Sequence, residues 1–254
     1  MINVIVCGAL GKMGRTVVDE IAGDRELKLV GAIEAAGHKG LGSSLGGVEV
    51  TADTTKALPL CDVLVDFTNP KAALEHVRES AAAGKAAVVG TTGFTAEELS
   101  RASKAADTIP LIISPNMSAG VNLLFKVVGE VARVLDDFDA EIVEIHHNKK
   151  KDSPSGTASR LAEAIAAARP SSLLVHGRHG IVGPRKREEI GMHSLRGGDV
   201  VGEHTVIFAG EGERFELTHR AHSRRTMARG TLRAIHFIHQ KGPGFYTMAD
   251  VLGL

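Results

Sequence analysis

Short apolar, β-branched runs alternate with stretches of helical spacing over the first half of the chain. "INVIVC" (2–7) is almost wholly apolar, "KMGRTVVDEIAG" (12–23) carries Met13, Val17 and Ile21 at helical spacing, and "LKLVGAI" (27–33) is apolar again. The order repeats downstream. "DVLVDF" (62–67) leads into "NPKAALEHVRESAAAG" (69–84), "AAVVG" (86–90) into "TAEELSRASKAAD" (95–107), and "PLIIS" (110–114) into "SAGVNLLFKVVGEVARVL" (118–135). Strands without polar alternation are buried on both faces and need helical crossovers, which predicts an α/β fold with a Rossmann-like, doubly wound parallel sheet. Asn69 before Pro70, and Thr95 with Glu98 in a capping-box pattern, mark two helix starts.

Beyond residue 136 the pattern changes. "DAEIVEIHH" (139–147), "EEIGMHSL" (188–195), "DVVGEHTVIFAG" (199–210) and "ERFELTHRA" (213–221) read as longer, partly alternating strands, the last two joined through "EGE" as a hairpin. One helix interrupts them, starting near Ser155. These strands predict a smaller α+β domain with a mixed sheet at 118–223. The first domain, 1–117, is completed by the helical stretch "RRTMARGTLRAIHFIHQ" within 224–254.

Composition narrows the partners. Of 254 residues 43% are hydrophobic, enough for real cores, and 30 basic residues balance 30 acidic ones. No global field draws such a chain to nucleic acid or an anionic membrane, so anion binding has to be local. Cys7 and Cys61 sit in apolar runs and form neither a disulfide framework nor a zinc cluster; they are expected to be buried and reduced. The N-terminus turns glycine-rich after Cys7, too early for a secretory segment, and no run approaches the ~18 apolar residues of a spanning helix. A cytoplasmic protein is expected.

Gly8, Gly11 and Gly14 fall between the first strand and the first helix. A pyrophosphate site needs a tight turn, close backbone approach and a helix N-terminus with free N–H groups, and glycines there supply all three. The G-x-x-G-x-x-G spacing is a weaker signal than G-x-G-x-x-G, but Glu34 ends the second strand where an acid can bind ribose hydroxyls. "DFTNP", "VVGTTGF" and "SPNMS" put small or polar residues at three further strand ends, the side where open α/β sheets bind ligands. Gly90, Thr91 and Thr92 offer donors suited to a nicotinamide ribose and amide.

"HHNKKKDSPSGTAS" (146–159) admits several readings. Successive strand side chains point to opposite faces, so His146 and His147 do not share one metal ion, and no metal site is expected. Three lysines on a neutral protein make poor evidence for nucleic acid. Gly156 and Thr157 in a first helical turn leave N–H groups uncovered, an anion seat, with His147 and Lys149 to Lys151 upstream on the same loop. Together these groups suit a small mono- or dicarboxylate beside a histidine able to move a proton near neutral pH.

With these motifs in this order the chain resembles the dihydrodipicolinate reductase family over essentially its whole length, through "GALGKMGR", "DFTNP", "VVGTTGF", "SPNMSAGVN", "EIHHNKKKDSPSGTA", "RGGDVVGEHTV" and "ERFELTHRAHSR". The resemblance implies NADH- or NADPH-dependent reduction of 4-hydroxy-tetrahydrodipicolinate with loss of water, in lysine and diaminopimelate biosynthesis. It implies His146 as acid/base and Lys150 as catalytic lysine, with His147, Gly156 and Thr157 contacting the substrate. Gly8, Ala9, Leu10, Gly11, Lys12, Met13, Glu34, Gly90, Thr91, Thr92, Ser114, Pro115, Asn116 and Met117 match dinucleotide contacts. It also implies a homotetramer assembled through the second domain. Family members often carry Arg after the ribose-binding acid, where this chain has Ala35, so NADH is expected to serve at least as well as NADPH, unless His38 or Lys39 substitutes. Two other readings remain at this stage, another two-domain NAD(P)-dependent oxidoreductase and a non-catalytic dinucleotide-binding regulator.

Overall fold

The first strand, β1 (Ile2–Cys7), is buried along nearly its whole length and sends alternate side chains into two different cores. Val4 and Val6 face one cluster, Ile5 and Cys7 the other, as expected of a strand covered on both sides. The computed structural model describes residues 1–254, which form two units, Met1–Ala119 with Arg224–Leu254, and Gly120–Ser223. After β1 come α1 (Lys12–Ala22), β2 (Leu27–Ile33), β3 (Ser44–Leu45), β4 (Val48–Thr51), β5 (Val63–Asp66), α2 (Pro70–Ala82), β6 (Ala86–Val89), α3 (Ala96–Ser103) and β7 (Pro110–Ile113). Then follow α4 (Ala119–Val134), β8 (Asp139–His146), α5 (Gly156–Ala168), β9 (Leu173–His176), β10 (Glu189–Arg196), β11 (Gly202–Ala209), β12 (Arg214–Ala221), α6 (Arg225–Ile238), β13 (Gly244–Tyr246) and α7 (Met248–Leu252).

In the first unit eight strands run in the order β13-β7-β6-β5-β1-β2-β4-β3, parallel except for the β3–β4 pair. Helices α1 and α6 cover one face through Val17, Ile21, Leu232 and Ile235, and α2 covers the other through Ala73 and Val77. Asn69 caps α2 by accepting the Ala72 N–H, and Thr95 and Glu98 close the capping box of α3. Residues 104–107, read from the sequence as α-helix, tighten into a single 3₁₀ turn. Strands β3 and β13 at the sheet edges, β4 beside β3, and α7 are short elements with no apolar period long enough to announce them.

The second unit is a five-stranded mixed sheet in the order β12-β11-β8-β10-β9, with α4 and α5 on one face. Its strands alternate: Ala140, Ile142, Glu144 and His146 of β8 are buried, while Glu141, Val143 and Ile145 are half-buried on the other face. Arg169, just past α5, donates to the carbonyls of Ala132, Leu135 and Phe138 and so satisfies the C-terminal end of α4. The run 199–210 becomes strand only from Gly202, because Gly198 turns the chain at φ +51°. β9, largely exposed at an edge, carries no alternation that would reveal it.

Candidate active site

In the first unit the glycine-rich turn is shaped by close contacts. Gly8 adopts φ +73°, and a Cβ on it would lie 2.4 Å from the Phe67 carbonyl oxygen. A Cβ on Gly14 would lie 2.1 Å from the Gly8 carbonyl oxygen, so α1 can press against the turn only without one. Gly11 caps α1 without a side-chain bond, and the first turn of α1 holds no acid. The helix therefore opens with bare N–H groups and its positive end, as a pyrophosphate requires. Ala9 is buried beneath the turn, and Lys12 and Met13 begin the helix. Glu34 braces the turn from the end of β2, accepting the N–H groups of Leu10 and Ala35, each at 3.0 Å.

A cavity of about 820 Å³ opens beside this turn, lined by Gly8, Gly11, Glu34 and Ala35 and by groups the sequence reading did not single out, notably Asp53, Glu75, His76 and Glu79. Four carboxylates face it against one lysine, Lys71. Neither His38 nor Lys39 lines it; His38 Nδ1 instead accepts the Gly40 N–H at 3.1 Å.

Of the three further strand-end loops, the one after β5 joins this lining through Phe67, Thr68 and Asn69, whereas those after β6 and β7 lie outside it. Their polar atoms are largely engaged within the protein. Thr91, expected to offer its hydroxyl to a ligand, is 4% exposed and donates that hydroxyl to buried Asp66 at 2.5 Å while accepting the Thr68 N–H at 2.8 Å. Asp66 also accepts from Thr68 and bonds His76 Nδ1 at 2.6 Å, so one carboxylate joins the ends of β5 and β6 to α2. Thr92 is exposed, and the N–H of Gly90 is taken by the Asp66 carbonyl at 2.8 Å. Ser114 donates to the Asn116 carbonyl, Asn116 Oδ1 accepts the Ser118 N–H, Pro115 is exposed, and the Met117 side chain is buried in the core. Any ligand contact from Met117 therefore comes from its backbone.

In the second unit β8 ends at His146, and His147 starts the following turn by donating its N–H to the Val200 carbonyl at 2.7 Å. The His147 Nδ1 is buried without a hydrogen-bond partner. Of the three lysines, Lys149 and Lys151 are exposed; Lys150 is half-buried, with Nζ 2.8 Å from Asp152. Ser155 caps α5 by accepting the Ala158 N–H, and Gly156 behind it is exposed, with nothing within 4 Å of where a Cβ would stand. Thr157 follows, half-buried, on the same first turn.

Around His146 lies a polar cluster absent from the sequence reading. His146 Nδ1 is 2.5 Å from Glu144 Oε2, and Arg196 grips both Glu144 oxygens at 2.9 Å. Register makes the cluster: Arg196 stands opposite His146, and His204 opposite Glu144. Burial alone would raise the Glu144 carboxyl, but hydrogen bonds from Arg196 and His146 hold it at about 2. Burial depresses the His146 imidazole below its ordinary value, against the pull of Glu144 and with Lys150 and Arg196 adding to the lowering. Both shifts describe ionised Glu144 beside neutral His146. His204, which packs edge-on to His146 at 5.2 Å and meets the Ser155 hydroxyl at 3.0 Å, is driven down to about 3 by burial and then by His146. Period-two alternation places Glu144 on the face of His146, a signal present in the sequence; the partnership of Arg196 and His204 depends on strand order.

A glycine turn on a doubly wound sheet, in a chain whose second sheet ends in a histidine–lysine loop, is the plan of a two-domain oxidoreductase with an NAD(P)-binding domain. Family models describing the N-terminus and the C-terminus of dihydrodipicolinate reductase match residues 2–117 and 120–252. The chain belongs to that family. It is 52% identical over 264 residues to the 4-hydroxy-tetrahydrodipicolinate reductase of an Anaeromyxobacter species and 49% identical over 266 residues to that of Anaeromyxobacter dehalogenans, in each case across 100% of this chain and 98% of the relative. The solved dipicolinate-bound dihydrodipicolinate reductase of Paenisporosarcina sp. TG-14 superposes with a TM-score of 0.80 at 28% identity, covering 98% of both chains.

Proposed function

We propose that this protein reduces 4-hydroxy-tetrahydrodipicolinate to tetrahydrodipicolinate with loss of water, in lysine and diaminopimelate biosynthesis, in the cytoplasm. The carrying observation is identity near 50% along the entire chain with reductases of that name. No helix is long and apolar enough to cross a membrane.

The glycine turn, Glu34 and the strand-end loops Gly90–Thr92 and Ser114–Met117 are the residues that would hold a dinucleotide, and the tight turn that Gly8 and Gly14 permit, ahead of the uncapped start of α1, suits its pyrophosphate. Bound reduced nicotinamide supplies the hydride. In the second unit, His147, Lys150 and the first-turn amides of Gly156 and Thr157 would hold a dicarboxylate, and the dipicolinate found on the Paenisporosarcina reductase supports that substrate class. Fixing both carboxylates orients the reacting ring, and orientation accounts for a large share of the barrier. His146 and Lys150 stand ready to move the proton.

NADH serves at least as well as NADPH. Ala35 offers no charge to a 2′-phosphate, and Glu34, Asp53, Glu75 and Glu79 line the cavity with negative charge. The assembly is a homotetramer built on the uncovered face of the second sheet, where Val143, Ile145 and Ile207 lie half-buried; light scattering in solution checks it.

The activity is tested by supplying the 4-hydroxy precursor in situ and following oxidation of each reduced nucleotide. Precursor-dependent oxidation is expected; its absence with both nucleotides overturns the reading.

A further inference from the structure

His146 has two ring nitrogens, and the fold treats them differently. Nδ1 faces Glu144 at 2.5 Å. Nε2 lies over the start of β11, where a Cβ on Gly202 would come within 2.9 Å of it. Glu144 is fully buried and is clamped by both Arg196 nitrogens and by the Ser155 N–H at 3.2 Å, so it cannot rotate away from the ring. An ionised carboxylate only accepts, which obliges Nδ1 to carry its hydrogen and leaves Nε2 as the atom where protons come and go.

We propose that Glu144 is a positioning residue that fixes the tautomer and orientation of His146 and confines its proton exchange to Nε2, while Gly202 keeps the approach to that atom open. The inference rests on the proton-moving role given to His146 above. The charged and titratable groups facing the ring are Glu144 on its own strand, Arg196 on β10, His204 on β11 and Lys150 on the following turn. Glu144 is the one negative charge among them, so its removal further disfavours the imidazolium.

The test compares Glu144→Gln, Glu144→Asp, Gly202→Ala, His146→Gln and the Glu144→Gln/His146→Gln double variant in the nucleotide-oxidation assay across pH. Glu144→Gln is expected to lower kcat by up to about a hundredfold, the lower end of what a positioned acid–base group contributes, since the imidazole is misplaced and not removed. It should also move the pH limb belonging to His146 to lower pH. Glu144→Asp should restore part of both, and Gly202→Ala should lower kcat by crowding Nε2. Because Glu144 acts through His146, the double variant should be no slower than His146→Gln alone. Wild-type kcat and an unmoved limb in folded Glu144→Gln, or a further loss in the double variant, overturn the inference. Wild-type kcat in His146→Gln instead overturns the role of His146 itself. Should Glu144→Gln not fold, ¹⁵N spectra of the wild-type histidines decide: neutral His146 must carry its hydrogen on Nδ1, and an Nε2–H tautomer refutes the proposal.

Discussion

Thr91 donates its hydroxyl to Asp66 at 2.5 Å, across the gap between the ends of β6 and β5. The same carboxylate takes the Thr68 hydroxyl and bonds His76, and Thr91 accepts the Thr68 N–H, so the loops after β5 and β6 are tied both to one buried carboxylate and to each other. A ligand that touches these loops meets a preorganised edge.

Removing one such bond should therefore be felt in binding. Thr91→Val leaves a buried carboxylate short of a donor, a loss of about 1.5–3 kcal/mol for a bond to a charged group. A lower Tm and weaker NADH binding in a fluorescence titration are expected, with Thr91→Ser close to wild type.

Ala35→Arg should restore a partner for a 2′-phosphate. One charge-assisted bond of about 1.5–3 kcal/mol corresponds to roughly tenfold to a hundredfold in kcat/KM for NADPH. The carboxylates lining the cavity, Asp53 among them, should hold the gain toward the lower end. Steady-state kinetics with both nucleotides measure it, and NADH should change little.

His146→Gln should reduce kcat more than it raises KM, since a proton-moving group acts chiefly in the transition state. Lys150→Ala should harm both, because a lost carboxylate contact weakens ground and transition states alike. Parallel kcat and KM determinations separate the two patterns.

Stability should fall as the solution is acidified, in two stages. His204 has an ordinary value near 6.5 unfolded and about 3 folded, so the unfolded chain binds the extra proton and stability declines as pH falls from about 6.5 toward 3. Glu144, ordinarily 4.5 and held at about 2, adds a second loss as pH falls below about 4.5. Thermal unfolding across this range should show the upper stage flattened in His204→Gln and the lower one retained.

Much of the fold was legible because local rules and tertiary demands agreed. Continuous apolar runs such as 86–89 became strands buried on both faces, and Asn69, Thr95 and Ser155 cap the helices placed after them. Where local signal was thin, as in the largely exposed edge strand β9 or the three-residue β13, burial gave no period to read.

The sequence by itself determined the two architectures, the glycine turn with Glu34, and the separation of His146 from His147, all of which follow from spacing within one segment. Tertiary structure alone decided what surrounds them. Arg196 lies 50 positions beyond His146 in the chain and meets Glu144 only because β10 pairs beside β8 in one register; a single-residue slip would turn it to the other face. Asp66 likewise gathers Thr91 and His76 only once β5, β6 and α2 have packed. Chain-local pattern could put Glu144 and His146 on one face of β8, but their partnership with Arg196 and Ser155 came only with burial, which strips water from these groups and leaves them one another as hydrogen-bond partners.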